Sequence, residues 1–321
     1  MRLFQGAAYG FIELRKGSYL MSGVALMAGI VAMIMNVASL GTWLNYGVDF
    51  TGGTLVQVGF QGDVSAGELR AVLGGDQAAT ITRFGAEGSG EFVIRAPLAE
   101  GASITEVSQN IEASIAAGLP GESFEVLRTE LVGAKVGTEL QQKAALAVLF
   151  SLILTLVYLA FRFETRFGLA AVIATLHDIL ITLGFLAAFR VEIALTTVAA
   201  ILTVVGYSLN DTIVVFDRIR ENMNKKGARK RDPMDLINQS INETLPRTVM
   251  TSATTLTVLV ALLMLGGAVV RDFALVLILG VVIGTYSSIF IASPALLEIQ
   301  KRWGTGKSDE KAKKRPQPAT V

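Results

Sequence analysis

Cysteine is absent from the chain and histidine occurs once, at His177. The first absence removes disulfides, thiolate nucleophiles and cysteine-bound metals; the second removes any histidine-rich metal centre. Nucleophile–base arrangements and metal-ligand spacings are missing too, and no Lys-Ser/Thr follows a glycine-rich loop to cradle a phosphate. An enzyme is therefore the least expected class, and neither a cofactor nor a nucleic-acid partner is expected. Net charge is also scarce, at +1 over 321 residues.

Apolar residues fill the space. They make up 52% of the chain, and the mean hydropathy of +0.54 belongs to membrane proteins. A span needs about 20 apolar residues. Six runs qualify, near 19–40, 143–161, 168–189, 193–216, 248–269 and 273–293. A cleaved signal peptide competes for the first run, but its length and the lack of a following Ala-x-Ala site favour an uncleaved helix.

Basic residues are distributed unevenly. The segment before the first span, the turn between spans two and three, the connection between spans four and five and the C-terminal tail hold 20 of the 28 lysines and arginines. Positive charge marks the cytoplasmic side. This yields a cytoplasmic N-terminus (1–18), a first helix (19–40), an extracytoplasmic insert (41–142) and helices two to six (143–293). A cytoplasmic loop at 217–247 and a basic cytoplasmic tail at 294–321 complete the chain. The tail reads as either a solvated end or a segment that touches anionic headgroups. From Thr42 to Gln142 the insert carries 13 acidic against 5 basic residues.

The insert reads as a small α+β domain. Strands are expected at 54–60, 79–84, 91–96 and 123–132. Ser65 can cap one helix, and Ser103 with Glu106 can form a capping box on a second. The order βαββαβ is that of a ferredoxin-like fold. The fold class is thus a polytopic α-helical membrane protein with six spans and a ferredoxin-like outer domain between helices one and two.

The candidate functional residues are polar groups inside apolar runs. A carboxylate in mid-span costs about 2.5–3.5 kcal/mol on insertion scales, which makes Asp211 the first of them. It is read as a proton-binding group with Asn210 as its hydrogen-bonding neighbour, or alternatively as a permanently paired carboxylate about 8–10 Å inside a helix end near Asp217. Arg247 enters from the same side, behind Pro246 near a first helical position. It is either a fixed cation beside Asp211 or an interfacial arginine. Thr248, Thr251 and Thr255 can line one face as a proton path or serve helix packing. His177 and Asp178 are adjacent titratable groups in span three, but about 100° apart on a helix, so a shared partner is not expected. Gly52 and Gly53 allow a hinge or a turn where the first span meets the outer domain.

These motifs carry a resemblance. Val48-Asp49-Phe50-Thr51-Gly52-Gly53 and the run from Tyr207 to Asn222, together with His177-Asp178 and Pro246-Arg247-Thr248, resemble signatures of the SecD/SecF family of bacterial protein-export membrane proteins, in the resistance–nodulation–division superfamily. The chain departs from it at Val132-Gly133-Ala134, where the family usually reads Val-Gly-Pro. The resemblance implies a multi-pass protein of the bacterial inner membrane that pairs with SecD and associates with the SecYEG channel and YajC. It would use protons to draw a preprotein outward through the lipid bilayer, with Asp211 and Arg247 on the proton path. Half of a small-molecule or lipid exporter and a non-energetic scaffold are the alternatives. H⁺ and Na⁺ both remain open as the coupling ion.

Overall fold

The computed structural model describes residues 8–73, 80–84, 90–96, 104–162, 164–227, 231–266 and 268–303. In chain order the elements are α1 (Arg15–Leu40), β1 (Asn45–Tyr46), α2 (Val48–Thr51), β2 (Gly53–Phe60), α3 (Ala66–Val72), β3 (Thr80–Phe84), β4 (Glu91–Ala96), α4 (Ile104–Gly118) and β5 (Phe124–Val132). Then come α5 (Ala134–Arg162), α6 (Thr165–Ala188), β6 (Glu192–Ile193), α7 (Leu195–Asn224), α8 (Pro233–Leu265), α9 (Ala268–Ser287) and α10 (Ser293–Trp303), with a π-helical segment, Ser288–Ala292, joining the last two.

Six of these helices are long and apolar enough to cross a membrane, the last formed by α9, the π segment and α10 together. Half or more of the apolar window is buried in α6, α7 and α9 (56%, 50% and 56%), against 11%, 6% and 17% in α1, α5 and α8. The first three form the centre of the bundle and the others its periphery. Small residues allow the centre to close. A Cβ on Gly29 of α1 would lie 2.7 Å from the Gly184 backbone of α6, and one on Gly284 of α9 would lie 2.9 Å from Ser208 Cβ of α7. Such contacts bring helix backbones close where lipid supplies no hydrophobic drive.

The outer domain has the sheet order β3-β4-β2-β5 with every pair antiparallel, as the ferredoxin-like reading requires. Alternate residues of β2 (Val56, Val58, Phe60) point into a core shared with Phe92 and Ile94 of β4, Leu69 of α3 and Ile111 and Ile115 of α4. The complete capping box is on α3, where Ser65 Oγ accepts from Glu68 N–H and the Glu68 carboxylate accepts from Ser65 N–H. Ser103, expected to cap the second helix, lies outside the described residues.

Gly52 and Gly53 have φ of 75° and 150°, and a Cβ at Gly53 would lie 2.7 Å from the Ala96 carbonyl oxygen. The pair forms a packed turn into β2 that only glycine fits easily. Three further ties bind this junction to the bundle. β1 pairs in parallel with β6, Asp49 accepts from the first amide of α7 (Leu195 N–H, 2.9 Å), and Arg95 pairs with Glu192 at 3.4 Å.

Two expectations need correction. The helix carrying Asp211 does not end near Asp217 but continues to Asn224, and α8 begins at Pro233, so most of the expected loop 217–247 is helical. Apolar residues at helical spacing (Phe216, Ile219; Ile237, Ile241, Leu245) continue the packed faces beyond the hydrophobic runs. Pro246 consequently lies inside α8. The proline at the helix start is Pro233, behind Asp232, whose side chain accepts from Met234 N–H. On this extension Asn242 holds both the N–H and the C=O of Tyr9, and Asn238 accepts from Ile12 N–H.

Candidate functional site

Two buried carboxylates sit in the middle of the bundle. Asp211 on α7 is 5% exposed and Asp178 on α6 is 1% exposed. Leaving either without hydrogen bonds would be costly at that depth, and each is met by hydroxyls from neighbouring helices.

Asp211 accepts from Thr248 Oγ1 of α8 at 3.0 Å and, at 3.3 Å, shares the Ser288 hydroxyl of the π segment with the Thr285 carbonyl, which lies 3.0 Å from the same Oγ. Arg247 is the neighbour of Thr248, and successive helix residues point about 100° apart. With Thr248 turned inward, Arg247 is left on the exposed side of α8. Its charge acts on Asp211 through space, but among the described residues no ion pair or hydrogen bond joins them. The expected direct pairing is therefore replaced by hydroxyl contacts. Asn210 corrects another expectation: it is exposed, and among the described residues it makes no hydrogen bond to Asp211.

The threonine row of α8 is also different from its sequence reading. Thr251 and Thr255 donate to carbonyls of their own helix, Thr251 to Arg247 and Thr248 (both 3.0 Å) and Thr255 to Thr251 (2.9 Å). Their single hydrogens are spent locally, which is ordinary for hydroxyls inside helices. Beside Asp211 the buried hydroxyls of α8 are Thr248 and, one turn on, Ser252, which bonds Thr285 of α9 at 2.7 Å.

Around Asp178 a second network forms. Its Oδ2 accepts from Ser208 Oγ of α7 at 2.5 Å and from Ser287 Oγ of α9 at 2.8 Å. Its Oδ1 lies 2.9 Å from Nδ1 of His177. Although the two residues leave the helix in different directions, the imidazole reaches back to its neighbour and extends on the other side to Ser22 of α1, with Nε2 to Oγ at 3.0 Å. Ser22 in turn meets the Tyr286 hydroxyl of α9 at 3.1 Å.

The sequence reading does not reach Ser22, Tyr286, Ser287 and Ser288. One signal was available: Thr285-Tyr286-Ser287-Ser288 is a block of four hydroxyl residues inside an apolar run. The π segment follows from Pro294, which has no N–H to give the preceding turn. Ser293 Oγ, at the start of α10, donates back to the Ser288 carbonyl of this segment at 2.9 Å. Among the described residues no group of three or more potential metal ligands occurs. The site brings together two carboxylates, an imidazole and hydroxyls, side chains that can each give or accept a hydrogen bond and, for the first two, bind a proton.

The chain is similar to known proteins. The family model for the C-terminal region of the protein export membrane proteins SecD/SecF matches residues 113–302, more than half of the chain, and the SecD/SecF GG motif matches residues 37–64. The protein translocase subunit SecF of Gemmatimonas aurantiaca is 46% identical over 310 residues, covering 94% of this chain and 90% of that one. That of Vibrio alginolyticus is 47% identical over 281 residues, covering 87% and 88%. The crystal structure of SecDF from Thermus thermophilus, a translocon-associated membrane protein, superposes with a TM-score of 0.76 at 39% identity. The match covers 94% of this chain but 40% of the SecDF chain.

Proposed function

The chain belongs to the SecD/SecF family of protein export membrane proteins, as a multi-pass subunit of the SecF type, and from that premise we propose that it couples proton movement to protein export. Together with SecD it uses the proton-motive force at the SecYEG channel of the bacterial inner membrane, with YajC as a further associate, to draw a preprotein outward. Both termini are cytoplasmic and the β domain is outside. The observation that carries the reading is Asp211, a carboxylate of α7 buried against α8 and the π segment and, among the described residues, hydrogen-bonded by hydroxyls alone.

A carboxylate held by hydroxyls binds a proton without first breaking an ion pair. Protonation weakens the charge-assisted bonds from Thr248 and Ser288, and deprotonation restores them. This alternation loosens and tightens α7 against α8 and the π segment. The far end of α7 is fastened to the outer-domain junction by Asp49, so movement of the helix reaches that domain. One charge crossing about 100 mV supplies about 2.3 kcal/mol, so substantial work takes several protons.

The SecD partner fits the exposed polar stripe of α7 and α8. Asn210, Arg247 and Thr251 lie on the outside of this chain in spans that lipid would otherwise cover, a costly placement for an arginine. The SecDF chain is more than twice the length matched here, which leaves room for a second half to cover that stripe.

The test is export of a preprotein into vesicles carrying this chain with its partners, with and without a proton gradient. With Asp211→Asn, the gradient's stimulation is expected to vanish while the complex still assembles. Stimulation that survives this change would make the chain a scaffold or put its coupling site elsewhere, with His177 and Asp178 the next candidates.

A further inference from the structure

The hydrogen bonds around His177 fix how many protons its pair with Asp178 holds. Each hydroxyl has one hydrogen to give, and a backbone carbonyl has none. The Tyr286 hydroxyl lies 3.0 Å from the carbonyl oxygen of Ser18, so Tyr286 is the donor there. In the 3.1 Å contact between Tyr286 and Ser22 the hydrogen must then come from Ser22. With that hydrogen used, the 3.0 Å contact between Ser22 Oγ and His177 Nε2 requires a hydrogen on Nε2. The remaining 2.9 Å contact, between His177 Nδ1 and Asp178 Oδ1, needs a proton of its own.

Counting along this chain, the imidazole and the carboxyl together hold one proton more than a neutral histidine beside an aspartate anion. The pair is either imidazolium with carboxylate or neutral imidazole with carboxylic acid. Both descriptions carry zero net charge, the favourable charge for two groups that are 6% and 1% exposed in a membrane bundle. On Asp178 Oδ2, the hydroxyls of Ser208 and Ser287 satisfy the other oxygen.

We infer that His177 and Asp178 form a second proton-binding site, loaded with one proton and locked in that state by the chain Ser22–Tyr286–Ser18. It is separate from Asp211 and does not depend on the role given to that residue. Loss of the proton to water takes the pair from zero to a net charge of −1. Nδ1 then keeps a hydrogen toward Asp178, and Nε2 is bare. To satisfy it, Ser22 turns its hydrogen onto Nε2, and Tyr286 turns its own from the Ser18 carbonyl to Ser22 Oγ. Discharge therefore moves two hydroxyls together, one on α1 and one on α9.

Tyr286 faces the pair from α9, with its ring 6.3 Å from the imidazole, and α1 presents Ser18 and Ser22. On α7 the nearest carboxylate in sequence to Ser208 is Asp211, bonded to Ser288 next to Ser287.

Because the chain has a single histidine, one measurement reads the site directly. The full-length chain, labelled with ¹⁵N-histidine and placed in lipid bilayers, gives the ¹⁵N resonances of one imidazole. At neutral pH, Nε2 is expected in the N–H range. In Tyr286→Phe, Ser22 has lost the acceptor of its hydrogen and can give it to Nε2, so the Nε2 resonance is expected to move to the bare-nitrogen range. A bare Nε2 in the unmodified chain overturns the proposal with no need of a variant. An unchanged Nε2 resonance in a folded Tyr286→Phe overturns the lock. Neither reading uses export, so failure here leaves the Asp211 test intact, and the reverse also holds.

Discussion

Ser287 and Ser288 are consecutive residues that serve different carboxylates: Ser287 donates to Asp178 at 2.8 Å and Ser288 to Asp211 at 3.3 Å. Neighbours on a helix diverge by about 100°, and at this point the helix packs against α6 on one side and α7 on the other. Two buried carboxylates on separate helices are thus met by two adjacent hydroxyls at the start of a π-helical segment, a form of helix that is frequent at functional positions.

The two serines are separable by substitution. Ser287→Ala is expected to shift the His177 ¹⁵N resonances by withdrawing a donor from Asp178, while Ser288→Ala leaves them in place and lowers gradient-stimulated export. Either change removes a buried hydrogen bond to a carboxylate, with an expected loss of about 1–3 kcal/mol in unfolding measurements in lipid. Equal effects of both serines on His177 would contradict the division of labour.

Gly29 and Gly184 set the spacing of α1 and α6. Gly184→Val puts a branched side chain where a single Cβ already lies 2.8 Å from the Gly29 backbone. Overpacking of this kind costs about 1–3 kcal/mol. Because α1 carries Ser22, the variant is also expected to disturb the His177 resonances. Gly17→Ala, at a position where a Cβ meets nothing within 4 Å, serves as the control.

Glu192, outside the spans, has its carboxyl raised above the usual range by burial; nearby Asp272 and Asp49 add to the rise, and Arg95 only partly opposes it. A carboxyl raised on folding stabilises the fold while it is protonated. That contribution is complete below the ordinary carboxylate range and is lost as pH climbs through the raised value. Compared with Glu192→Gln, the unmodified chain should therefore lose relative stability as pH rises across that window. Thermal unfolding of the two proteins over a pH series measures the difference, and a difference of opposite slope would refute the assignment.

Asn242 pins the N-terminal segment by taking the Tyr9 N–H at 3.0 Å and giving its amide to the Tyr9 carbonyl at 2.8 Å. Each such bond contributes about 0.5–1.5 kcal/mol. Asn242→Ala is expected to raise amide hydrogen exchange at residues 9–12 several-fold while exchange in α6 and α7 stays unchanged. Unaltered exchange at Tyr9 would show that the clasp does not hold the segment.

The sequence by itself determined the class, the six spans and the strand order of the outer domain. Those features rest on composition, on run length and on a period of two in strands such as β2, which are local quantities. It also marked Asp211, Asp178 and His177, because a titratable group in an apolar run is conspicuous wherever the run is packed. Tertiary structure decided what they touch. Whether Arg247 or Thr248 turns toward Asp211 depends on the rotation of α8 against α7, and no window of sequence contains that angle. The reach of α7 to Asn224 was hidden for a related reason. Ile219 and Ile241 are separated by polar residues, and they read as helix faces only when the two helices meet. The bond between His177 and Asp178 depended on packing as well, since α1 had to bring Ser22 to the far side of the ring.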